Sequence, residues 1–429
     1  MKFSFSCSFM LILVVLMGGS ESLFASSVSE RWEIKSIDSA TSISNDDISA
    51  TFKPSSDEAY VCYYDKDNKK IILASQSSSG VWSHFPIPNQ NDTDKKYCSI
   101  YYNQSVDRLN VSYYELGAYS ITLAQRNTFG LGYLWENKIV DINLSKGYPD
   151  GAFLFYDKQA KPIIVYSIKS YSNNRTYFYF NHNQTNSLFW EENGIGIKFS
   201  TSYPIESHVD DTYSGFIAYK DKDNGDIIAR NITEPHDGPL HYKFDNGTSP
   251  SLAFDRYDDP HIAYYDASTY ELIYGYYNES SKNNCGMQNG WFMFSCMKVD
   301  NAGTITNLAL AIDRKGYPII AYQDASDDQS PETLNVARPI QAYGLSEGNC
   351  GPKLNSRFQW QCDVIDDATG NGGGGHLHEG DHISIAVSDN GMIMIAYTEY
   401  DDYYDTVSLK SAQLKDPSLA LPAIYYLLQ

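Results

Sequence analysis

One three-part unit recurs along the whole chain, and repetition of that kind restricts the fold to stacked or circular arrays of small units. The clearest copy runs Ser251-Leu-Ala-Phe-Asp255, a polar turn with Pro260, then Ile262-Ala-Tyr-Tyr-Asp266 and Leu272-Ile-Tyr-Gly275. It returns as Ala309-Leu-Ala-Ile-Asp313, Pro318, Ile320-Ala-Tyr-Gln-Asp324 and Leu334-Asn-Val-Ala337, and again as Ser384-Ile-Ala-Val387, Ile395-Ala-Tyr-Thr-Glu399 and Val407-Ser-Leu-Lys410. Toward the N-terminus the skeleton persists as Phe216-Ile-Ala-Tyr-Lys-Asp221 with Ile227-Ile-Ala229, and as Ile163-Ile-Val-Tyr166 with Thr176-Tyr-Phe-Tyr179. Two more copies are Val111-Ser-Tyr-Tyr-Glu115 with Ile121-Thr-Leu-Ala124, and Val61-Cys-Tyr-Tyr-Asp65 with Ile71-Ile-Leu-Ala74, which makes seven.

Each copy holds short runs of β-branched and aromatic residues between Asp, Asn, Gly and Pro turns, the pattern of strands rather than helices. A fourth strand follows most copies, best seen in Phe294-Ser-Cys-Met-Lys-Val-Asp300 and Trp360-Gln-Cys-Asp-Val-Ile-Asp366. The seventh copy lacks one, but Trp32-Glu-Ile-Lys-Ser-Ile-Asp38 has the same form and precedes the first copy. Pairing that segment with the last copy would close a ring and remove exposed sheet edge. The expected fold is all-β, a seven-bladed β-propeller of four-stranded antiparallel blades. It would be closed by the N-terminal strand pairing with the C-terminal blade, with the propeller over 27–415 and a C-terminal tail over 416–429. The chain resembles secreted β-propellers with S-L-A-x-D-x-x-G-x-P-x-I-A-Y-Y-D repeats over nearly its whole length. That resemblance implies an architecture and not a chemistry, since the fold also serves lectins, polysaccharide lyases and glycosidases.

Lys2, the apolar run Phe9 to Met17 and the small polar stretch Gly18 to Ser22 form the three parts of a secretory signal peptide. Residues 1–25 are assigned to it, with cleavage between Ser20 and Ser26. The apolar segment Leu419 to Leu428 is interrupted by Pro422 and is too short to span a bilayer. Six cysteines then remain, an even set suited to an oxidising compartment. Cys285 pairs locally with Cys296 and Cys350 with Cys362, each first cysteine lying in an Asn-Cys-Gly triplet, which leaves Cys62 for Cys98. Sequons begin at Asn91, Asn103, Asn110, Asn143, Asn174, Asn183, Asn231, Asn246 and Asn278. A formal charge of −21 argues against nucleic acid and against an anionic membrane as partner. The expected product is a secreted, extracellular, monomeric glycoprotein.

Four features invite a functional reading. The acids that close the second strand of most copies (Asp65, Glu115, Asp221, Asp266, Asp324, Glu399) suit turn capping better than a ring of ligands. A glycine-rich loop carries His376, His378 and His382 beside Glu379 and Asp381, either as ligands of one divalent metal such as zinc or manganese or as solvated side chains, since their spacing is not diagnostic. Counting back from the second strand of the fourth copy places Glu206 and His208 on its leading strand, two apart and on one side, either as an acid/base pair near the channel mouth or as a hydrogen-bonded pair between blades. The tyrosine pairs Tyr63-Tyr64, Tyr113-Tyr114 and Tyr264-Tyr265 should each put one ring between blades and leave the other as a platform for sugars. The leading functional expectation is a lectin-like propeller that binds a glycan or polysaccharide. Its alternative is a polysaccharide lyase or glycosidase acting on the top face through His208, Glu206 and the histidine loop, and the residues do not choose between them.

Overall fold

The computed structural model describes residues 32–414 outside 40–42, 44–47, 55, 128–133, 142–146, 157–161, 171–175, 183–184, 193, 202–214, 222–223, 232–240, 258, 279–282, 326–331, 344, 346, 353–356, 368–376 and 402–405. Nearly every described element is a strand. After β1 (Trp32–Asp38), the antiparallel strands β2 (Ser49–Lys53), β3 (Glu58–Asp65), β4 (Lys70–Gln76) and β5 (Trp82–Pro86) form one sheet. β6 (Lys95–Asn103), β7 (Arg108–Glu115), β8 (Ser120–Asn127) and β9 (Leu134–Asp141) form the next, and β10 (Gly147–Tyr156), β11 (Pro162–Ser170), β12 (Thr176–His182) and β13 (Thr185–Glu192) a third.

A nine-stranded sheet follows, made of two four-stranded series. One is β14 (Gly194–Thr201), β15 (Gly215–Asp221), β16 (Ile227–Asn231) and β17 (His241–Phe244). The other comprises β18 (Thr248–Phe254), β19 (Pro260–Asp266), β20 (Glu271–Tyr277) and β22 (Trp291–Asn301), and the short β21 (Cys285–Gln288) bridges β17 to β22. β23 (Leu308–Ile312), β24 (Pro318–Asp324), β25 (Thr333–Pro339) and β26 (Trp360–Asp367) form another sheet, with one helical turn, α1 (Ile340–Tyr343), after β25. In the last sheet β27 (Leu377–Val387), β28 (Ile393–Asp401) and β29 (Thr406–Leu414) are completed by β1, with Trp32 opposite Leu414 and Ser36 opposite Lys410.

The core lies between successive sheets. One cluster joins Tyr274 and Leu272 to Leu308, Ile320 and Trp360, and another joins Val61 and Phe52 to Met394 and Leu409. Small residues on the leading strands allow this close approach, and a serine on four of these strands does more. Ser49 Oγ accepts from Ile100 N (3.2 Å), Ser99 Oγ from Leu154 N (3.0 Å), Ser251 Oγ from Leu310 N (3.0 Å) and Ser384 Oγ from Ala50 N (3.0 Å). Every one of these bonds runs from the leading strand of one sheet to that of the next, and the last runs from the C-terminal sheet to the first.

A second clasp works at the far end of the outer strands. The terminal acid of one outer strand accepts from the second-strand tyrosine of the next sheet: Tyr63 Oη to Asp38 Oδ2 (2.5 Å), Tyr322 Oη to Asp300 Oδ2 (2.5 Å) and Tyr397 Oη to Asp366 Oδ2 (2.6 Å). Such bonds to a carboxylate are about twice as strong as neutral ones.

All three disulfides expected from the sequence form, and Cys62–Cys98 staples β3 to β6 across two sheets. The Asn-Cys-Gly triplets recur as structure. Asn284 Oδ1 accepts from Cys296 N and its Nδ2 donates to Cys296 O, while Asn349 does the same with Cys362. The glycine that follows sits at φ +62° (Gly286) or +67° (Gly351), where a side chain would be strained and would strike Phe294 or the backbone of Val299.

Candidate functional site

The described strand that pairs with β15 is β14, with Thr201 opposite Gly215. The acid/base pair expected on the fourth leading strand falls on Glu206 and His208, which lie outside the described residues. Of the three histidines, His376 is also outside them. His378 and His382 belong to β27 rather than to a free loop: His378 is opposite Tyr400, and the register shifts between Glu379 and Ile383. The His382 backbone N–H donates to Thr398 Oγ1 at 3.1 Å. Among the described residues one group has metal-ligand proximity, Asp300 with Cys350 and Cys362, but those two sulfurs are joined to each other and offer no thiolate.

Capping explains part of the acid series. Asp65 Oδ1 accepts from Asp67 N and Asn68 N, and Asp266 Oδ1 from Ser268 N and Thr269 N. Elsewhere the acid bonds outside its own turn: Glu115 accepts from Asn91 Nδ2, Glu399 from Ser408 Oγ and Lys410 Nζ of the adjacent strand, and Asp324 from the Gly303 N–H. Burial, with the nearby Asp300 carboxylate adding to it, holds the Asp324 carboxyl above its ordinary range.

The tyrosine platforms expected from the sequence are absent. Tyr63, Tyr64, Tyr113, Tyr114, Tyr264 and Tyr265 are all buried, because a second strand is covered by neighbouring sheets on both faces. A buried chain of the same kind joins Tyr274 Oη to His261 Nδ1 at 2.5 Å, with His261 Nε2 3.8 Å from Asp255. Burial alone would raise the Asp255 carboxyl, but His261 and the N–H groups of Tyr257 and Asp259 bring it below the usual carboxylate range.

Aromatic surface is instead offered by the β21–β22 hairpin. Trp291 is 75% exposed, Phe292 46% and Met287 41%. Asn289 and Gly290 link the strands with φ of 49° and 85°, the left-handed pair that a tight two-residue hairpin needs. Gln288 faces Trp291 and Met287 faces Phe292 across it. Cys285–Cys296 and the Asn284 clasp lock its base, and a bridge from Met287 to Lys243 of β17 ties its free side, with Lys243 Nζ in turn 2.5 Å from Asp226. No charged residue occurs from Asn283 to Cys296, whereas amides stand at 283, 284, 288 and 289. The Trp291 indole shares one face of the locked hairpin with Gln288, while Phe292 and Met287 share the other, and an exposed indole beside a neutral amide can stack on and bond to an uncharged polar ligand with little ordering cost. Sequence reasoning passed over this Trp. The useful signal was its position five residues before the second cysteine, whereas the buried Trp360 and Phe294 stand two before theirs.

The sequon asparagines differ sharply. Asn91 and Asn246 are exposed, Asn278 is half-buried, Asn103 is 4% exposed and Asn110 not at all, while the remaining four have no described side chain.

Comparison with known proteins gives loose likenesses. A protein of unknown function from Dyadobacter fermentans aligns with a TM-score of 0.47 and 7% identity over 89% of this chain and 98% of its own. The α-L-arabinofuranosidase of Fusarium graminearum gives 0.43 and 11% over 89% and 97%, and the WD40 domain of SCAP from fission yeast 0.44 and 9% over 91% and 96%. No family model matches the chain, and no curated protein does. No residue role passes from these proteins to this one.

Proposed function

We propose that this is an exported, disulfide-containing glycoprotein whose sheets close into a seven-bladed propeller, and that it binds neutral carbohydrate through the Trp291 hairpin. Closure is supported by the Ser384–Ala50 bond and the β1–β29 pairing, which carry the last sheet onto the first. Export is supported by three disulfides, and among the described residues no helix is long and apolar enough to cross a membrane. The observation that carries the binding reading is the indole of Trp291, exposed on a hairpin locked at its base and free of charge.

A glycan array probed with the purified protein and with Trp291→Ala tests the reading. Wild type should bind uncharged glycans, and the variant should bind at least about tenfold more weakly, the equivalent of about 1.4 kcal/mol. Absence of wild-type binding, or binding unaffected by the substitution, would remove the hairpin from the account. The raised Asp324 carboxyl favours a second reading, a glycosidase in which it supplies the acid. Release of reducing ends from polysaccharide, lost in Asp324→Asn, would replace binding by hydrolysis.

A further inference from the structure

We infer that the sequons of this chain are used selectively: Asn91 and Asn246 carry N-glycans, and Asn103 and Asn110 do not. The inference rests on the proposed export of the chain. Asn91 lies in the connection from β5 to β6 and Asn246 in that from β17 to β18, and both side chains are exposed. The Asn91 loop is held firmly under its side chain. The buried Lys95 ammonium bonds Lys69 O, Asn91 O and Thr93 O at 2.9, 2.5 and 2.6 Å. Asn91 Nδ2 donates one hydrogen to Glu115 Oε2, which leaves the other for substitution. Both connections run from an outer strand to the next leading strand.

Asn110 is a core residue that happens to spell a sequon. It lies within β7, its Nδ2 donates to Arg108 O (2.9 Å) and Tyr101 O (3.5 Å), and its Oδ1 accepts from Gln125 Nε2 (3.1 Å). The hydroxyl-bearing partner of this sequon, Ser112, is itself buried. A hydrated oligosaccharide on that nitrogen would have to enter the space between two sheets. Asn103 caps the helical turn Gln104–Val106 by accepting from Ser105 N (3.1 Å) and Ser105 Oγ (2.7 Å), which turns its Nδ2 inward. Glycosyl transfer joins Nδ2 to the anomeric carbon of a lipid-pyrophosphate oligosaccharide, whose pyrophosphate departs as one amide proton is lost. A chain so modified at Asn110 could not complete this fold.

The full chain, secreted from a eukaryotic host, is treated with peptide-N-glycosidase in heavy-oxygen water, and its peptides are mapped by mass spectrometry. The expected result is heavy aspartate at 91 and 246 and unmodified asparagine at 103 and 110, in protein whose six cysteines are all disulfide-bonded. Label at 103 or 110 in that material overturns the inference, as does disulfide-complete protein unlabelled at 91 and 246. Retention in the cell with free thiols and no label overturns the export reading, and this inference with it.

Discussion

Replacing Tyr63 by Phe removes one hydroxyl from the junction between the last sheet and the first. Its Oη donates to Asp38 Oδ2 at 2.5 Å, Asp38 ends β1, and the ring is buried. Hydrogen bonds to a charged group contribute about 1.5–3 kcal/mol, more than the ~1 kcal/mol of a neutral pair. The same hydroxyl lies 3.1 Å from His84 Nδ1, which is itself 4.0 Å from the Asp38 oxygen and beyond direct hydrogen-bond distance of it. We expect Tyr63→Phe to lower unfolding free energy by about 2 kcal/mol in denaturant titration. Asp38→Asn should cost a similar amount, and the double variant should cost less than the sum, with a coupling of at least about 1 kcal/mol. Hydrogen exchange should quicken first in β1 and β29, the strands this bond holds in place. Tyr113 supplies the comparison. The strand before its sheet ends in Phe85-Pro86 and offers no acid, so Tyr113→Phe should cost under about 1 kcal/mol. Strict additivity of Tyr63→Phe and Asp38→Asn, or equal losses at Tyr63 and Tyr113, would refute the latch.

Three further outcomes are expected. Lys95→Met strands the carbonyls of Lys69, Asn91 and Thr93 and should cost at least about 2 kcal/mol, whereas an unchanged denaturation midpoint would show that the ammonium does not order the loop. Cys62→Ser with Cys98→Ser opens a link spanning a sequence separation of 36 and should cost about 4 kcal/mol on the chain-entropy estimate; unaltered unfolding would contradict the staple. Burial holds the phenols of Tyr63, Tyr113 and Tyr264 well above their ordinary range and pushes Tyr242 up to about 12. The unfolded chain ionises first, near pH 10, so stability should be intact below pH 10 and fall above it. Tyrosinate absorbance from these residues should therefore appear together with unfolding, and reversible titration near pH 10 in the folded state would refute the burial.

The strands were legible because their alternation and turn residues follow from local sterics, and the closing segment was legible because Trp32 to Asp38 repeats the form of Trp360 to Asp366. Disulfide pairing was legible through the Asn-Cys-Gly triplet, where a side-chain clasp and a left-handed glycine leave a sequence trace. The interval between first and second strands varies, 255–259 between β18 and β19 but 202–214 between β14 and β15, so a fixed repeat spacing does not locate Glu206 and His208. The tyrosine pairs misled for another reason. Strict alternation predicts one outward ring, which holds for a sheet with a solvated face but not for a second strand packed between sheets. Exposure of Trp291 depends on its place at a hairpin tip, which residue type alone does not report.

Ring closure is tested most directly by a cross-link between the chain's two ends. Glu33 lies opposite Gln413 on paired antiparallel strands, a separation of about 4.5–5.5 Å between Cα atoms, within disulfide reach. The variant Glu33→Cys with Gln413→Cys should form this bond within one molecule on mild oxidation, seen as a single linked peptide pair in monomeric protein with the three native disulfides intact. Cross-linking only between molecules, or two thiols that stay free while those disulfides are formed, would contradict the closed ring.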